Sequence, residues 1–166
     1  MINNILFLVL LTLIPFLELR YSIPAGILAG SIALPFGFSL IGLGMPWYTV
    51  FIVCVITNFI LGIIIYFVLD KLVTIFLKFR WFKRIYRKII SRPQRRIKKY
   101  VEKYGELGVA LFIAIPLPGS GVYTGALGAY AIGLKFKKFI IADLIGVVIA
   151  GISVTLLTLA GKGIFN

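Results

Sequence analysis

Two long apolar runs constrain this chain more than anything else in it: Trp47 to Leu69, without a charge, and Phe139 to Ala160, interrupted only by Asp143. A bilayer core of about 30 Å takes roughly 20 helical residues, so each run predicts a membrane span. Hydrophobic residues make up 61% of the sequence and the mean hydropathy is +1.08. A soluble core would not use so much. The chain reads as an integral membrane protein, and its 166 residues give room for one small bundle, a single membrane domain. A bundle this small invites oligomerisation, for which a homodimer would suffice. Cys54 lies inside an apolar run and histidine is absent, which argues against disulfide frameworks, Cys/His metal sites and His-based catalysis. The apolar stretch Ile5 to Ile14 has no basic residue before it and no small-residue cleavage site after it, and reads as mature structure.

The net charge of +13 is concentrated, with thirteen of the 18 Lys and Arg residues between Lys71 and Lys103. There Ile75, Phe79, Phe82, Tyr86, Ile89, Ile97, Tyr100 and Tyr104 recur every three or four positions, interrupted around Pro93. That spacing predicts a basic amphipathic helical linker, residues 70–106, kinked or broken at Pro93. Such a segment lies along a membrane surface, where anionic head groups attract it. The positive-inside rule accounts for the basic face and places it in the cytoplasm, so no nucleic-acid partner is expected.

Between the linker and the second span lies "LGVALFIAIPLPGSGVYTGALGAYAIG", Leu107 to Gly133. A single crossing would put the linker and Lys135, Lys137 and Lys138 on opposite sides, against the same rule. A re-entrant hairpin turning at "PLPGSG" removes the conflict, because Pro116, Pro118, Gly119 and Gly121 cannot all sit in a helix interior. Residues 1–69 repeat the plan: an arm from Ile5 to Phe16, the cluster "ELRYS" closed by Pro24, a return arm "AGILAGSIAL" ending at Pro35, then a span. A continuous first span from Ile2 to Phe16 is the alternative. Both return arms carry a small-xxx-small pattern, Gly26 with Gly30 and Gly121 with Gly125. The expected fold is therefore all-α: two re-entrant helical hairpins plus transmembrane spans in an inverted repeat, with residues 107–166 as the second half. Transporters of this design bind cargo near the midplane, where broken helices face each other.

"LELRYSIPAGILAG" together with "LFIAIPLPGSGVYTGALGAYAIG" resembles the small multidrug export protein family, a branch of the DedA or VTT superfamily of prokaryotic and organellar membrane proteins. The resemblance covers most of the chain. It implies a multi-pass protein of a prokaryotic cell membrane, with two hairpins facing each other across the bilayer. It also implies movement of an anionic lipid or polyprenyl-phosphate carrier between leaflets, with proton coupling; the family label would imply small-molecule export instead. DedA proteins usually carry arginines around the second hairpin tip, whereas Leu107 to Gly133 has no Arg or Lys.

Arg20 would then supply most of the charge for a phosphate, with backbone N–H groups around Gly119, Ser120 and Gly121 supplying the rest. Glu18 would accept a proton, its ionisation linked to cargo. In the bland alternative the tip reaches the membrane interface, Arg20 snorkels and Glu18 caps the return arm. Asp143 is a second proton-coupling candidate or an interfacial group. Asn58 lines the cavity or bonds between helices. Tyr123 and Thr124 donate to cargo or to local carbonyls freed by the break. Without a histidine the serine of "PGSG" lacks its general base, so no enzyme activity and no cofactor are expected. A flippase predicts a cavity open sideways to lipid; an exporter of small cations predicts an enclosed pocket lined with aromatics. A non-transporting scaffold would tolerate neutralisation of Glu18 and Arg20.

Overall fold

The structure is a computed structural model that describes residues 2–33, 39–76, 92–115 and 120–165. Its elements are α1 (Ile2–Leu13), α2 (Glu18–Ile27), β1 (Ala29–Ala33), β2 (Ser39–Leu43), α3 (Trp47–Phe76), α4 (Arg92–Ala114), α5 (Val122–Ile132) and α6 (Phe136–Phe165). Two helices are long and apolar enough to cross a membrane, over Trp47–Val73 and Phe136–Lys162. They contain the two runs identified in the sequence. At about 1.5 Å per residue, α1, α2 and α5 reach only about 15–18 Å and cannot cross a 30 Å core alone.

The helix pair α1 and α2 packs on itself and on α3, and α4 and α5 pack on each other and on α6. The halves interlock, because α2 also touches α6, α5 touches α3, and α3 runs against α6. Their shared core includes Leu8, Ile23, Val50, Val122, Phe139 and Val147. The opposite faces of the long helices expose Ile52, Ile56, Ile60 and Ile64 on α3, and Ile141, Ile145, Ile149 and Ile152 on α6. Apolar stripes at i, i+4 with no protein against them fit a lipid environment. Hydroxyls within these helices bond back to the fourth preceding carbonyl, as from Thr12 to Leu8 (2.8 Å) and Thr158 to Val154 (2.7 Å). That pairing satisfies a polar group where water is absent.

Three expectations need correction. The fold is not all-α: the first return arm ends as a helix at Ile27, and Ala29–Ala33 pairs antiparallel with Ser39–Leu43. Gly30 has φ 107, a backbone that helix excludes, and the strand ladder satisfies the groups a helix would have paired. Gly30 therefore shares no helix face with Gly26, and Gly121 precedes α5, so neither pair forms the expected small-residue face. The close approaches instead involve Gly26 against Val50, Gly125 against Ile113, and Gly146 against Ile113 and the Ala110 carbonyl. Finally, the linker does not end where the second arm begins, since α4 runs unbroken from Arg92 through Ala114. Pro93 sits in its first turn, where its missing N–H costs nothing. Phe79, Phe82, Tyr86 and Ile89 of the expected amphipathic stripe lie outside the described residues.

A glycine closes the end of α5. Gly133, at φ 77, ends α5, with Gly133 N–H donating to the Tyr130 carbonyl (3.0 Å) and Leu134 N–H to that of Ala129 (2.9 Å). This Schellman-type turn leads into α6 after two residues.

A methyl on Gly146 would sit 2.8 Å from the Ala110 carbonyl oxygen, which is backbone and cannot swing aside, whereas nothing lies within 4 Å of one on Gly128. Gly146→Ala should destabilise the fold by about 1–3 kcal/mol. Gly128→Ala should stabilise it by about 0.5–1 kcal/mol. Chemical unfolding of both variants in detergent, followed by circular dichroism, measures the contrast.

Candidate functional site

The site forms where two interrupted helices meet. Pro15 follows the end of α1 and blocks its continuation. The turn that results places Phe16 at φ 72 and Glu18 at φ 40. Left-handed backbone at a residue with a side chain costs on the order of 1–2 kcal/mol, so surrounding contacts must hold it. In the second half, α4 ends at Ala114 and α5 begins at Val122, preceded by Gly121 at φ 137. Pro116, Pro118 and Gly119 lie outside the described residues.

Each break supplies what the other lacks. The Val122 N–H at the start of α5 donates to Glu18 Oε2 (3.0 Å). Arg20 Nη2 donates to the Ser120 carbonyl and to Ser120 Oγ (2.8 Å), while that hydroxyl donates to the Ile115 carbonyl (2.5 Å). Tyr123 Oη returns the exchange by donating to the Leu13 carbonyl at the end of α1 (2.6 Å). A carboxylate at a helix N-terminus complements its unpaired N–H groups and its dipole. The anion at the start of α5 is thus Glu18 itself.

Gly121 makes this possible twice over. Its backbone angle suits glycine, and a Cβ there would lie 2.5 Å from Glu18 Oε2 and 2.9 Å from Oε1. Glu18 is 6% exposed and Arg20 is half-buried. Beside them is a cavity lined by Glu18, Leu19, Arg20, Asn58, Ile113, Gly121, Ala150 and Val154. Its volume, about 10 Å³, holds about one water molecule. Among the described residues the lining is aliphatic and charged apart from the Asn58 amide, with no aromatic side chain.

A second polar cluster lies deeper, between α3 and α6. Asp143 is fully buried within the protein, with neither carboxylate oxygen hydrogen-bonded among the described residues. It occupies the space left by Gly62, whose Cβ would come within 2.7 Å of Asp143 Cγ and Oδ1. Asn58, one turn before Gly62, is 1% exposed and its Oδ1 is likewise unpartnered. Asp143 is within electrostatic reach of Glu18.

Of the sequence candidates, Glu18, Arg20, Ser120, Gly121 and Tyr123 meet at the junction. Pro24 does not line the cavity; it lies inside α2, where its carbonyl accepts from the Leu28 N–H (2.9 Å). Thr124 donates locally, to the Gly121 carbonyl (3.3 Å). Sequence reasoning missed Gly62 and the cavity wall from Ile113, Ala150 and Val154. A glycine one turn after the only asparagine of the Trp47 to Leu69 run was the available signal.

Glu18→Ala should cost about 1.5–3 kcal/mol by leaving the Val122 N–H unpaired, and Glu18→Gln less, since one acceptor oxygen remains. Gly121→Ala should cost at least as much as Glu18→Ala, because it expels the same carboxylate and strains the backbone. Unfolding free energies of the three variants in detergent give the order.

The model of a protein family described as "Putative small multi-drug export protein" matches residues 18–152. The match begins at Glu18, the first residue of α2, and takes in the second break, all of α3, and α6 as far as Ile152 with Asp143. No curated protein and no solved structure matches the chain. Two membrane-length helices, interlocked around paired helix breaks, and a match over most of the chain lead to one conclusion: the chain belongs to the small multi-drug export protein family.

Proposed function

We propose that the protein is a secondary exporter of small molecules whose cargo enters at the junction of Glu18 and Arg20 with the start of α5. The observation that carries this reading is that Arg20, Tyr123 and the Glu18 carboxylate all make hydrogen bonds that join the two halves. A passage through the molecule must part these bonds. Protonation of Glu18 weakens its charge-assisted bond to the Val122 N–H and frees the end of α5, while Arg20 stays bonded only to the neutral acceptors of Ser120. Proton binding and opening are coupled in this way. The cavity with room for one water is the closed state, and cargo requires an opening of the hairpins.

In this reading α1 with α2, and α4 with α5, are re-entrant hairpins of an inverted repeat of the DedA type. Several features support that arrangement. The short helices cannot cross alone. Trp47 and Tyr48, half-exposed and edge to face at 6.0 Å, mark an interface at the start of α3. The two-stranded sheet beside them has open edges, which need water and not lipid. The basic linker at the other end of α3 is then cytoplasmic, in a prokaryotic cell membrane.

A second reading, transfer of an anionic lipid or polyprenyl phosphate between leaflets, is favoured by one observation. A guanidinium bonded to neutral acceptors, next to a helix N-terminus, is the chemistry of a phosphate site once Glu18 withdraws. Proteoliposomes with an imposed pH gradient test both, using a fluorescent organic cation, a fluorescent organic anion and a labelled polyprenyl phosphate. Gradient-driven movement of either small molecule, lost in Glu18→Gln, supports the exporter. Movement of the polyprenyl phosphate alone, lost in Arg20→Ala, replaces it with the lipid reading. Unchanged transport in both variants removes the junction from the mechanism.

A further inference from the structure

Asp143 is an oddity that the junction does not use. It sits in the middle of a bundle, fully buried, on a helix of membrane length, and among the described residues it has no hydrogen bond. A bare carboxylate in such surroundings is costly, and partners normally satisfy it. Here the neighbouring unpartnered polar atom makes the deficit larger, because Asn58 Oδ1 is another acceptor. An ionised carboxylate and an amide oxygen offer acceptors only. What they lack is a positive charge or a proton.

Among the described residues the charges and donors around it are engaged elsewhere, the Asn58 amide N–H with Glu18. On α2 the charge within reach of Asp143 is Glu18, which is negative, and Arg20 beyond it is committed to Ser120. On α3, the Tyr66 hydroxyl donates a hydrogen bond to the Leu134 carbonyl. On α4, Glu106 lies beside Lys138 of α6 (3.5 Å). On α5, Tyr123 donates to Leu13, and Tyr130 stacks edge-on against Tyr66. Space has nevertheless been kept for the carboxyl group, since any side chain at Gly62 would collide with it. Asn58 also borders the junction cavity, which holds about one water.

We propose that Asp143 and Asn58, with the gap at Gly62, form a buried binding site for one monovalent cation, either a proton or Na⁺. The site adjoins the junction, sharing Asn58 with its cavity, and its occupancy does not depend on the identity of the exported cargo. Occupancy neutralises Asp143, removes its repulsion with Glu18 and tightens α3 against α6.

The two occupants are separable on the full-length protein in nanodiscs. Melting temperatures are compared in NaCl and in choline chloride of equal ionic strength. If Na⁺ is the occupant, wild type gains roughly 3 °C or more at ten times Kd, and Asp143→Asn and Gly62→Ala lose the gain. If the occupant is a proton, infrared spectroscopy at neutral pH shows a carboxylic-acid band instead. Asp70 and Asp143 are the only aspartates, so ¹³C-aspartate labelling of an Asp70→Asn protein isolates the Asp143 carboxyl without altering the site. That measurement stands even where the Asp143 and Gly62 variants fail to fold. An Na⁺ gain that persists in Asp143→Asn overturns an Na⁺ site there. A carboxylate band at neutral pH without an Asp143-dependent Na⁺ gain overturns the proposal altogether.

Discussion

A helix broken inside an apolar bundle strands N–H and C=O groups where no water can reach them, and each such group must find a partner within the protein. Here two breaks are closed against each other. The first half contributes side chains with charge, Glu18 and Arg20, to backbone groups of the second; the second returns a phenol, Tyr123, to the Leu13 carbonyl of the first. Neither break is satisfied alone. That dependence explains why the halves interlock and why α2 reaches past its own partner helix to touch α6.

Small residues make the closure geometrically possible. Gly121 leaves room for the Glu18 carboxylate, Gly26 lets α2 settle on Val50, and Gly146 brings α6 onto the backbone of α4. Between helices in lipid, where burial of apolar surface drives little, such contacts carry much of the association. The polar atoms thread through this tight packing as a chain from Arg20 through Glu18 and Asn58 towards Asp143. Glu18 stands within electrostatic reach of both Arg20 and Asp143, where a low dielectric screens little.

Much of this was legible in the sequence because it rests on one-dimensional constraints. Apolar runs of membrane length became α3 and α6, and Pro15 follows the end of α1. Pro93 fell at a helix start. Glu18 and Arg20 drew attention because charge in an apolar run demands a reason. The strand pair after Ile27 was not legible: its residues are as apolar as those of the helices around it, and only pairing with Ser39–Leu43 separates the two states. The small-residue pattern of Gly26 and Gly30 misled for the same reason, since helical spacing means nothing once the helix has ended.

The sequence by itself determined that the chain belongs in a membrane, how many membrane-length helices it has in the described residues, and which residues interrupt the shorter ones. Hydropathy, chain length and the stereochemistry of proline and glycine act locally, so they can be read from local sequence. Tertiary structure alone decided who partners whom. Glu18 caps a helix more than a hundred residues away, and Asp143 lies in the gap at Gly62 with no hydrogen bond among the described residues. Both follow from how the two halves dock, a matter of long-range packing that no spacing along the chain encodes.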